Sequence, residues 1–446
     1  MDILTIEVGS TITKANAFRR LAEGRLEPFA QGFAATTVEE GDVAIGVENA
    51  MRDLESQSQR TLVDPEIHLN SSAAGGLRMT VHGLTYNMTA RAAREAALGA
   101  GAIIKQVTAG ALEESELDEI RAIQPNIILL AGGVDYGEKK TVLENAEKIA
   151  LLGLKTPVIY AGNSVIRAQI RGIFASSGAQ VLSADNVFPE VDVLNIEPVR
   201  YLIYEVFNQH IIHAQGMARL SELTHAQILP TPGAVLKAAE LFAEVLGDVL
   251  VIDVGGATTD VHSVTEGSPE WTSKLVDPEP YAKRTVEGDL GVFINAGNIL
   301  SLSADPAWNN RLEDLRALPE TEREINLTHY LCERAVETAI RRHAGVIIDQ
   351  YTPVGKKQVV KGKDLTAVRW VVGTGGALTR IPGGADILRG ICKGPGKYLL
   401  PKPEARILID RDYRFSALGT LAAAYPDEVR KTMLHWVENM SGPLEA

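Results

Sequence analysis

Two segments of the chain place an acidic residue, a glycine turn and hydroxyl side chains in the same order and at the same spacing. The segments run from Leu4 to Ala15 and from Leu250 to Val261. Their aligned pairs are Glu7 with Asp253, Gly9 with Gly255, and Thr13 with Thr259. One such segment is typical of an ordinary polar β-turn. Two aligned copies instead indicate a ligand-binding hairpin that is built twice.

Each segment carries groups that can bind a polyphosphate. Turn N–H groups and Ser or Thr hydroxyls can donate hydrogen bonds to phosphate oxygens without a fixed positive charge. Lys14 would add a point charge against a terminal phosphate. The candidate phosphate ligands are Gly9, Ser10, Thr11, Thr13 and Lys14 in the first copy, and Gly255, Gly256, Thr258 and Thr259 in the second.

The acidic residues of the two segments need a different explanation, because a carboxylate repels bare phosphate. Mg²⁺ keeps several waters and is commonly held through one or two carboxylates together with substrate phosphates. We therefore expect Glu7 and Asp253 to contact water bound to Mg²⁺. Asp260, which aligns with Lys14, is expected to orient water or metal.

A third glycine-rich segment, Trp370 to Arg380, predicts a strand that enters a tight turn and then a helix. The candidate adenosine contacts are Gly373, Gly375 and Gly376, where bare backbone would let a base or ribose lie flat. A dinucleotide-binding fingerprint is weakened, because Leu378 stands where that pattern needs Gly or Ala. The P-loop pattern does not occur in the sequence.

Short apolar runs predict the elements that position these residues. Ile3 to Val8 and Ile12 to Phe18 predict a hairpin around the first turn. From about residue 67 to 200, strand-like runs alternate with helical stretches, which indicates βαβ units and a parallel sheet. A Pro- and Gly-containing break from Leu229 to Gly233 predicts the approach to a domain boundary.

Composition limits the class of protein. The 446 residues include 44 Lys and Arg against 57 Asp and Glu, a net charge of −13, which disfavours binding to nucleic acid. No apolar run approaches the roughly 18 residues of a membrane span. The first residues lack the features of a secretory signal, so we expect a cytoplasmic protein. Two cysteines, Cys332 and Cys392, are too few for a disulfide framework.

In chain order, the three glycine-containing segments resemble the phosphate-1, phosphate-2 and adenosine motifs of the actin/Hsp70/sugar-kinase ATPase superfamily. Within it, the sequence is most similar to the MutL (glutamate mutase L) accessory family, which is unrelated to the DNA mismatch-repair protein of the same name. Further segments that carry this resemblance are Ile127 to Gly133, Arg284 to Gly291 and Ala417 to Thr420. Glu7 departs from the Asp that is usual in the superfamily.

The resemblance implies an α/β fold of two related actin-like, ribonuclease H-like domains, with a nucleotide cleft between them and an α/β insertion in the first. The expected domains are 1–245 plus 405–446, with the insertion at about 67–200, and 246–404. It also implies that ATP or ADP with Mg²⁺ binds and that hydrolysis is coupled to domain closure. The implied role is a chaperone or reactivating factor for an adenosylcobalamin-dependent mutase such as glutamate mutase. The chain could assemble as a homo-oligomer.

Three other functions stay open at this point. A small-molecule kinase on the same fold would transfer the terminal phosphate to a metabolite. An activator of radical dehydratases would hold an iron–sulfur cluster between two subunits, for which two cysteines per chain suffice by count. A filament-forming protein without enzymatic activity is the third.

Other candidate residues have two readings each. Glu287 and Asp289 could activate the attacking water, or could belong to a solvated acidic loop. His210 and His213 could bind metal, although a surface or packed pair is the simpler reading. The Ala131 to Gly133 turn with Asp135 could bind a ligand or simply connect a strand to a helix. A basic run is expected to be a solvated hairpin; its residues are Lys356, Lys357, Lys361 and Lys363.

Overall fold

The computed structural model describes residues 2–9, 11–38, 40–73, 77–211, 216–303, 307–308, 311–353 and 355–441. The chain divides into two compact units, residues 1–234 and 235–446. No helix in the described part of the chain is both long and apolar enough to cross a membrane.

Among the described residues, ten strands and seven α-helices lie wholly within the first unit. The strands are β1 (Asp2–Val8), β2 (Ile12–Arg20), β3 (Leu26–Ala35), β4 (Glu66–Ser71), β5 (Arg78–Gly83), β6 (Ile103–Ala109), β7 (Ile127–Leu130), β8 (Val158–Tyr160), β9 (Val181–Ser183) and β10 (Leu229–Pro230). The helices are α1 (Val43–Ser58), α2 (Arg91–Gly99), α3 (Glu114–Ile123), α4 (Lys140–Leu151), α5 (Arg167–Ser177), α6 (Glu197–Ile211) and α7 (Leu220–Leu223).

The first sheet of this unit has the order β10-β4-β1-β2-β3. Its strands β1, β2 and β3 are antiparallel neighbours, whereas β4 is parallel to β1 and β10 is parallel to β4. The predicted hairpin is thus the centre of a mixed sheet. Both faces of β1 are covered, because all its residues from Ile3 to Val8 are buried.

The second sheet of the unit is fully parallel, with the order β6-β5-β7-β8-β9. It lies between β4 and β10 along the chain, which confirms the predicted α/β insertion. The insertion begins later than predicted, because β4 pairs with β1 in the first sheet. Its apolar strands are covered by side chains of α4 and α5, among them Ile149 and Phe174.

The second unit repeats the first sheet. Its strands are β11 (Val249–Val254), β12 (Thr259–Val264), β13 (Ala282–Glu287), β14 (Val346–Thr352), β15 (Gly355–Lys361), β16 (Trp370–Thr374) and β17 (Arg406–Ile409). The sheet order is β13-β12-β11-β16-β17. Strands β11, β12 and β13 are antiparallel neighbours. Strand β16 is parallel to β11, and β17 is parallel to β16. This is the connectivity of β1, β2, β3, β4 and β10, so the predicted pair of related α/β domains is confirmed.

Eight α-helices lie at or after the division among the described residues. They are α8 (Thr231–Leu246), which spans the division, α9 (Pro269–Thr272), α10 (Ala296–Ser303), α11 (Glu322–His343), α12 (Gly376–Thr379), α13 (Gly384–Ile391), α14 (Arg414–Leu421) and α15 (Pro426–Ser441). A capping box of Thr321 and Glu324 begins α11. The buried face of α11 then packs into the core of the unit through residues such as Leu331 and Val336.

The division of the chain differs from the domain boundaries expected from the sequence. Residues 405–446 group with 235–404, because β17 is hydrogen-bonded to β16. Phe415 of α14 also packs against Phe242 of α8, with ring centroids 5.8 Å apart. Phe242 in turn meets Trp370 edge to face. These contacts also draw the end of α8 into the second unit, so the division falls at residue 234 and not at 245.

The basic run only partly forms the solvated hairpin that was expected. Lys356, Lys357 and Lys361 are exposed on β15, which pairs with β14. Lys363 is instead buried, and its ammonium donates to the carbonyl oxygens of three residues; these are Thr265 (2.6 Å), Pro280 (2.5 Å) and Tyr281 (3.2 Å). Burial lowers the pKa of Lys363 to about 8. The prediction was wrong for Lys363, because its partners lie far away in the sequence.

Candidate functional site

The first hairpin turn closes on Gly9, whose N–H donates to the carbonyl of Ile12 at 3.1 Å. A Cβ at Gly9 would lie 2.6 Å from that oxygen, so the turn requires glycine. Thr11 is exposed at the turn. Ser10, a predicted phosphate ligand, lies outside the described residues.

The two charged residues of the first hairpin face each other. Glu7 is the ladder partner of Lys14 in the β1–β2 pair. The Lys14 ammonium lies 2.6 Å from Oε1 of Glu7, and Glu7 is buried apart from a small exposed fraction. The predicted phosphate-binding cation and the predicted metal-binding acid are therefore an ion pair.

The second hairpin turn repeats the first. The N–H of Gly255 donates to the carbonyl of Thr258 at 2.9 Å, which corresponds to the Gly9 to Ile12 bond. The carbonyl oxygen of Gly256 accepts hydrogen bonds from the N–H groups of Phe293 and Ile294, which lie in a later loop. Among the described residues, no protein acceptor is recorded for the N–H groups of Gly256, Ala257 and Thr258. Donors without protein acceptors in an exposed turn fit an anionic ligand.

The third glycine segment meets the second hairpin at Asp253. Parallel pairing of β11 with β16 sets Asp253 beside Thr374. The next residue, Gly375, has a φ of +85°, and a Cβ there would collide with Oδ1 of Asp253 and with the carbonyl of Val254. The fold thus brings a predicted metal-binding acid against a predicted adenosine-binding turn. Gly376 is exposed at the start of α12 with open space around its Cα.

Three of the residues that were predicted to contact the nucleotide are buried. The hydroxyl of Thr13 lies 3.0 Å from that of Thr36, and the hydroxyl of Thr259 donates to the carbonyl of Leu290 at 2.7 Å. Both threonines are fully buried. Gly373 is also buried, where a Cβ would meet Leu388 at 2.8 Å. The hydroxyls of Thr13 and Thr259 thus make internal hydrogen bonds, and Gly373 is enclosed by packing.

Asp260 is held by an arginine of the neighbouring strand. Nε of Arg284 on β13 donates to Oδ1 of Asp260 at 2.8 Å, and the hydroxyl of Thr258 donates to Oδ2 at 3.1 Å. Arg284 is only 3% exposed. Asp260 therefore takes part in a buried ion pair with Arg284.

Glu287 and Asp289 share one cation, Arg342 of α11. Nη1 of Arg342 lies 2.7 Å from Oε2 of Glu287 and 2.7 Å from Oδ1 of Asp289, and Nη2 lies 2.9 Å from Oδ2 of Asp289. Glu287 lies at the end of β13, opposite Thr259. The acidic pair is thus organised beside the second turn and is not a loosely solvated loop.

The two carboxyls of this pair have pKa values displaced in opposite directions. Burial raises the pKa of Glu287 above its ordinary value, although the hydrogen bond from Arg342 opposes this. Two separate hydrogen bonds from Arg342 lower the pKa of Asp289. A carboxyl with a raised pKa is a better proton acceptor at neutral pH, so Glu287 has the more suitable environment for a general base.

Arg284 and Arg342 were not recognised in the sequence as site residues. Arg284 lies in a segment that carries the family resemblance, which was an available signal. Arg342 follows Arg341 in the last turn of α11, where basic residues are favoured by the helix dipole alone. Nothing in its local sequence distinguishes it from an ordinary helix end.

The carboxylates present fit a hydrated metal and not a fully protein-coordinated one. Among the residues that the structure describes, no group of three His, Cys, Asp or Glu is placed to hold a metal ion. Mg²⁺ bound through its waters and through phosphates needs only one or two carboxylates. Glu7 at the first turn and Asp253 at the second are each a carboxylate of this kind. His210 carries no metal assignment, and His213 lies outside the described residues.

The remaining candidates are accounted for by packing. Asp135 accepts hydrogen bonds from the N–H of Ser164 at 2.8 Å and from the amide of Asn186 at 3.0 Å, which is the tight-turn reading. Cys332 and Cys392 are both buried. Burial raises the pKa of the Cys392 thiol to about 11 and also raises that of Cys332. Buried, protonated thiols do not suit a cluster shared with a second subunit.

Comparison with known proteins identifies the family. The family described as "MutL protein" matches residues 3–437. The chain belongs to the MutL family. It is 37% identical to Protein MutL of Clostridium tetanomorphum over 457 residues, covering 96% of this chain and 98% of that protein. The resemblance inferred from the glycine-containing segments is confirmed.

Solved structures share a lower similarity with this MutL-family chain. A diol dehydratase-reactivating factor in nucleotide-free form has a TM-score of 0.37 and 12% identity, covering 96% of this chain and 100% of that one. Component A of the (R)-2-hydroxyglutaryl-CoA dehydratase of Acidaminococcus fermentans has a TM-score of 0.30 and 12% identity, covering 96% and 99%.

Proposed function

We propose that this MutL-family chain is an ATP-dependent accessory factor that reactivates an adenosylcobalamin-dependent mutase, such as glutamate (methylaspartate) mutase. The observation that carries the nucleotide part is the repeated hairpin, in which each unit has one glycine turn beside one acidic residue. The family membership supports the accessory part. The chain would act on its mutase partner and not on nucleic acid.

Each turn would bind phosphate oxygens through its backbone. In the second turn the donors are the N–H groups of Gly256, Ala257 and Thr258, with Gly255 closing the turn. In the first, Gly9 closes the turn and the N–H of Thr11 would donate; Thr13 and Lys14 are the other described members of the predicted set. Gly375 and Gly376 would lie against the adenosine. Backbone donors in a preorganised turn need no rearrangement when the anion binds.

The charged residues would hold the metal and the reacting water. Glu7 and Asp253 would bind Mg²⁺ through its waters, and Lys14 would donate to a phosphate oxygen. Mg²⁺ offsets phosphate charge, and ATP supplies the phosphoanhydride bond that is hydrolysed. Glu287 would accept the proton of the attacking water, while Arg342 orients Glu287 and Asp289 together. This assignment follows from the raised pKa of Glu287.

Calorimetry tests the nucleotide site. The protein should bind Mg·ATP and Mg·ADP, and Asp253→Asn should weaken binding or hydrolysis by at least about tenfold, because it removes one charged metal contact. The matched control is Asp386→Asn, an exposed carboxylate on α13 that pairs with Arg389. An Asp253→Asn variant that behaves like the control would contradict the assignment.

A reconstitution assay tests the accessory role. An inactivated glutamate mutase is incubated with this protein, ATP, Mg²⁺ and fresh adenosylcobalamin. Mutase activity should return with ATP and should not return with a non-hydrolysable analogue. Formation of a phosphorylated metabolite from a metabolite panel, without reactivation, would instead support a small-molecule kinase.

A further inference from the structure

A cavity of about 580 Å³ lies in the second unit, at the amino ends of β16 and β17. The end of α8 and the segments 366–370 and 402–406 line it. Gly375 follows the carboxyl end of β16, so the cavity and the predicted adenosine-binding turn lie at opposite ends of the same strand. The cavity is therefore distinct from the proposed nucleotide site.

Three cations line the cavity, and they are Arg369, Lys402 and Arg406. The backbones of Arg369 and Arg406 are neighbours, since the N–H of Arg406 donates to the carbonyl of Arg369 at 2.8 Å, and all three side chains are exposed. Within the described parts of the chain, none of the three has a carboxylate at ion-pair distance. Glu404 is the one acidic residue in the lining. Three cations against one acidic residue give the cavity a positively charged lining, which favours an oxyanion.

Part of the cavity wall is apolar. Trp370 is 4% exposed, and its indole N–H donates to the carbonyl of Leu246 at 3.1 Å. The guanidinium of Arg406 lies 5.4 Å from the centroid of the Trp370 ring. This cation–π contact restrains Arg406 beside the cavity. Val245 and Leu246 are partly exposed and add aliphatic surface.

We propose that this cavity binds a small organic anion that carries carboxylate or phosphate groups on an apolar body. The volume lies in the range of small-molecule sites, which is roughly 300–1,000 Å³. The guanidinium groups of Arg369 and Arg406 would bind the oxyanion, and Val245 and Leu246 would contact the apolar body. This inference goes beyond the proposed function and does not depend on it.

Calorimetric titration with two probes tests the proposal and distinguishes the two sources of charge. Phenyl phosphate represents a phosphate ester, and adipate represents a dicarboxylate. Each is titrated at low ionic strength with and without Mg·ADP, because a phosphate probe could also enter the nucleotide site. The variants are Arg369→Gln and Arg406→Gln. The matched control is Arg411→Gln, an exposed arginine just beyond the other end of β17.

At least one probe should bind in the millimolar range or tighter, and binding should weaken when salt is added. Each of the two cavity variants should weaken it at least tenfold, whereas Arg411→Gln should leave it unchanged. Arg369→Lys should restore part of the affinity, which separates loss of charge from misfolding. The proposal is overturned if neither probe binds, if the cavity variants bind like wild type, or if Mg·ADP abolishes binding.

Discussion

The ammonium of Lys14 lies 2.6 Å from the carboxylate of Glu7, its partner in the β1–β2 ladder. The same ladder position in the second hairpin pairs Asp253 with Asp260. The two copies therefore share a backbone but differ in charge at this position. The first hairpin has an ion pair at this position. The second has two acidic residues, of which Asp260 pairs with Arg284.

Replacement of Lys14 by Met should weaken Mg·ATP binding about tenfold, since one charge-assisted hydrogen bond to phosphate is lost. Calorimetry measures this effect. Lys105→Met is the control, because Lys105 is an exposed cation on β6 in the same unit. Equal affinities for the two variants would show that Lys14 serves only to pair with Glu7.

Replacement of Asp260 by Asn should lower the free energy of unfolding by about 3 kcal/mol, because it removes the carboxylate charge that pairs with the buried Arg284. Denaturant titration gives this value. Asp349→Asn breaks an exposed pair with Lys356 and should cost less than about 1 kcal/mol. If both variants lose the same small amount, Asp260 and Arg284 are not an energetically important buried pair.

Replacement of Gly375 by Ala should destabilise the fold by about 1–3 kcal/mol and weaken nucleotide binding, because φ is +85° and the new Cβ would collide with Asp253. Gly390→Ala is the matched control. Gly390 lies in α13 with open space around it, so alanine there should raise stability by about 0.5–1 kcal/mol. Thermal unfolding and calorimetry distinguish the two, and a neutral Gly375→Ala would refute the close approach.

Replacement of Arg342 by Met should raise the pKa of both Glu287 and Asp289, since Arg342 lowers both. If Glu287 accepts the proton of the attacking water, the acid limb of the pH–rate profile of ATP hydrolysis should move to higher pH. Arg341→Met is the control, because Arg341 pairs with Glu337 on the same helix. An unchanged profile would exclude both carboxyls as the base.

Replacement of His82 by Gln should flatten the acid side of the stability profile. Burial lowers the pKa of His82 to about 3, and its two ring nitrogens lie within hydrogen-bonding distance of the hydroxyls of Thr80 and Thr108. The unfolded state binds the proton more tightly, so this contribution is complete above pH 6.5 and is lost as pH falls toward 3. The loss between pH 7 and pH 5 should be about 2 kcal/mol by linkage. Denaturant titrations at the two pH values should show a smaller change for the variant, and equal changes would contradict the burial of a neutral His82.

The hairpins and the insertion were predictable because their signals are local. Alternating apolar residues, a glycine turn and the repeat of Glu7, Gly9 and Thr13 at a constant offset predicted two copies of one hairpin. The alternation of strands and helices predicted the parallel sheet. The edge strand β10 has only two residues, and it pairs with β4, which lies far earlier in the chain. No local pattern therefore predicted it.

The sequence by itself determined the residue types at each turn, the repeat and the family, because these are properties of spacing and composition. Only the tertiary structure decided which charged groups meet. Lys14 faces Glu7 through strand register, whereas Arg342 reaches Glu287 and Asp289 from a helix more than fifty residues away. Whether Thr13 and Thr259 face a ligand or the core is likewise set by packing. A side chain's partners depend on long-range contacts, and the free energy of those contacts cannot be read from the local sequence.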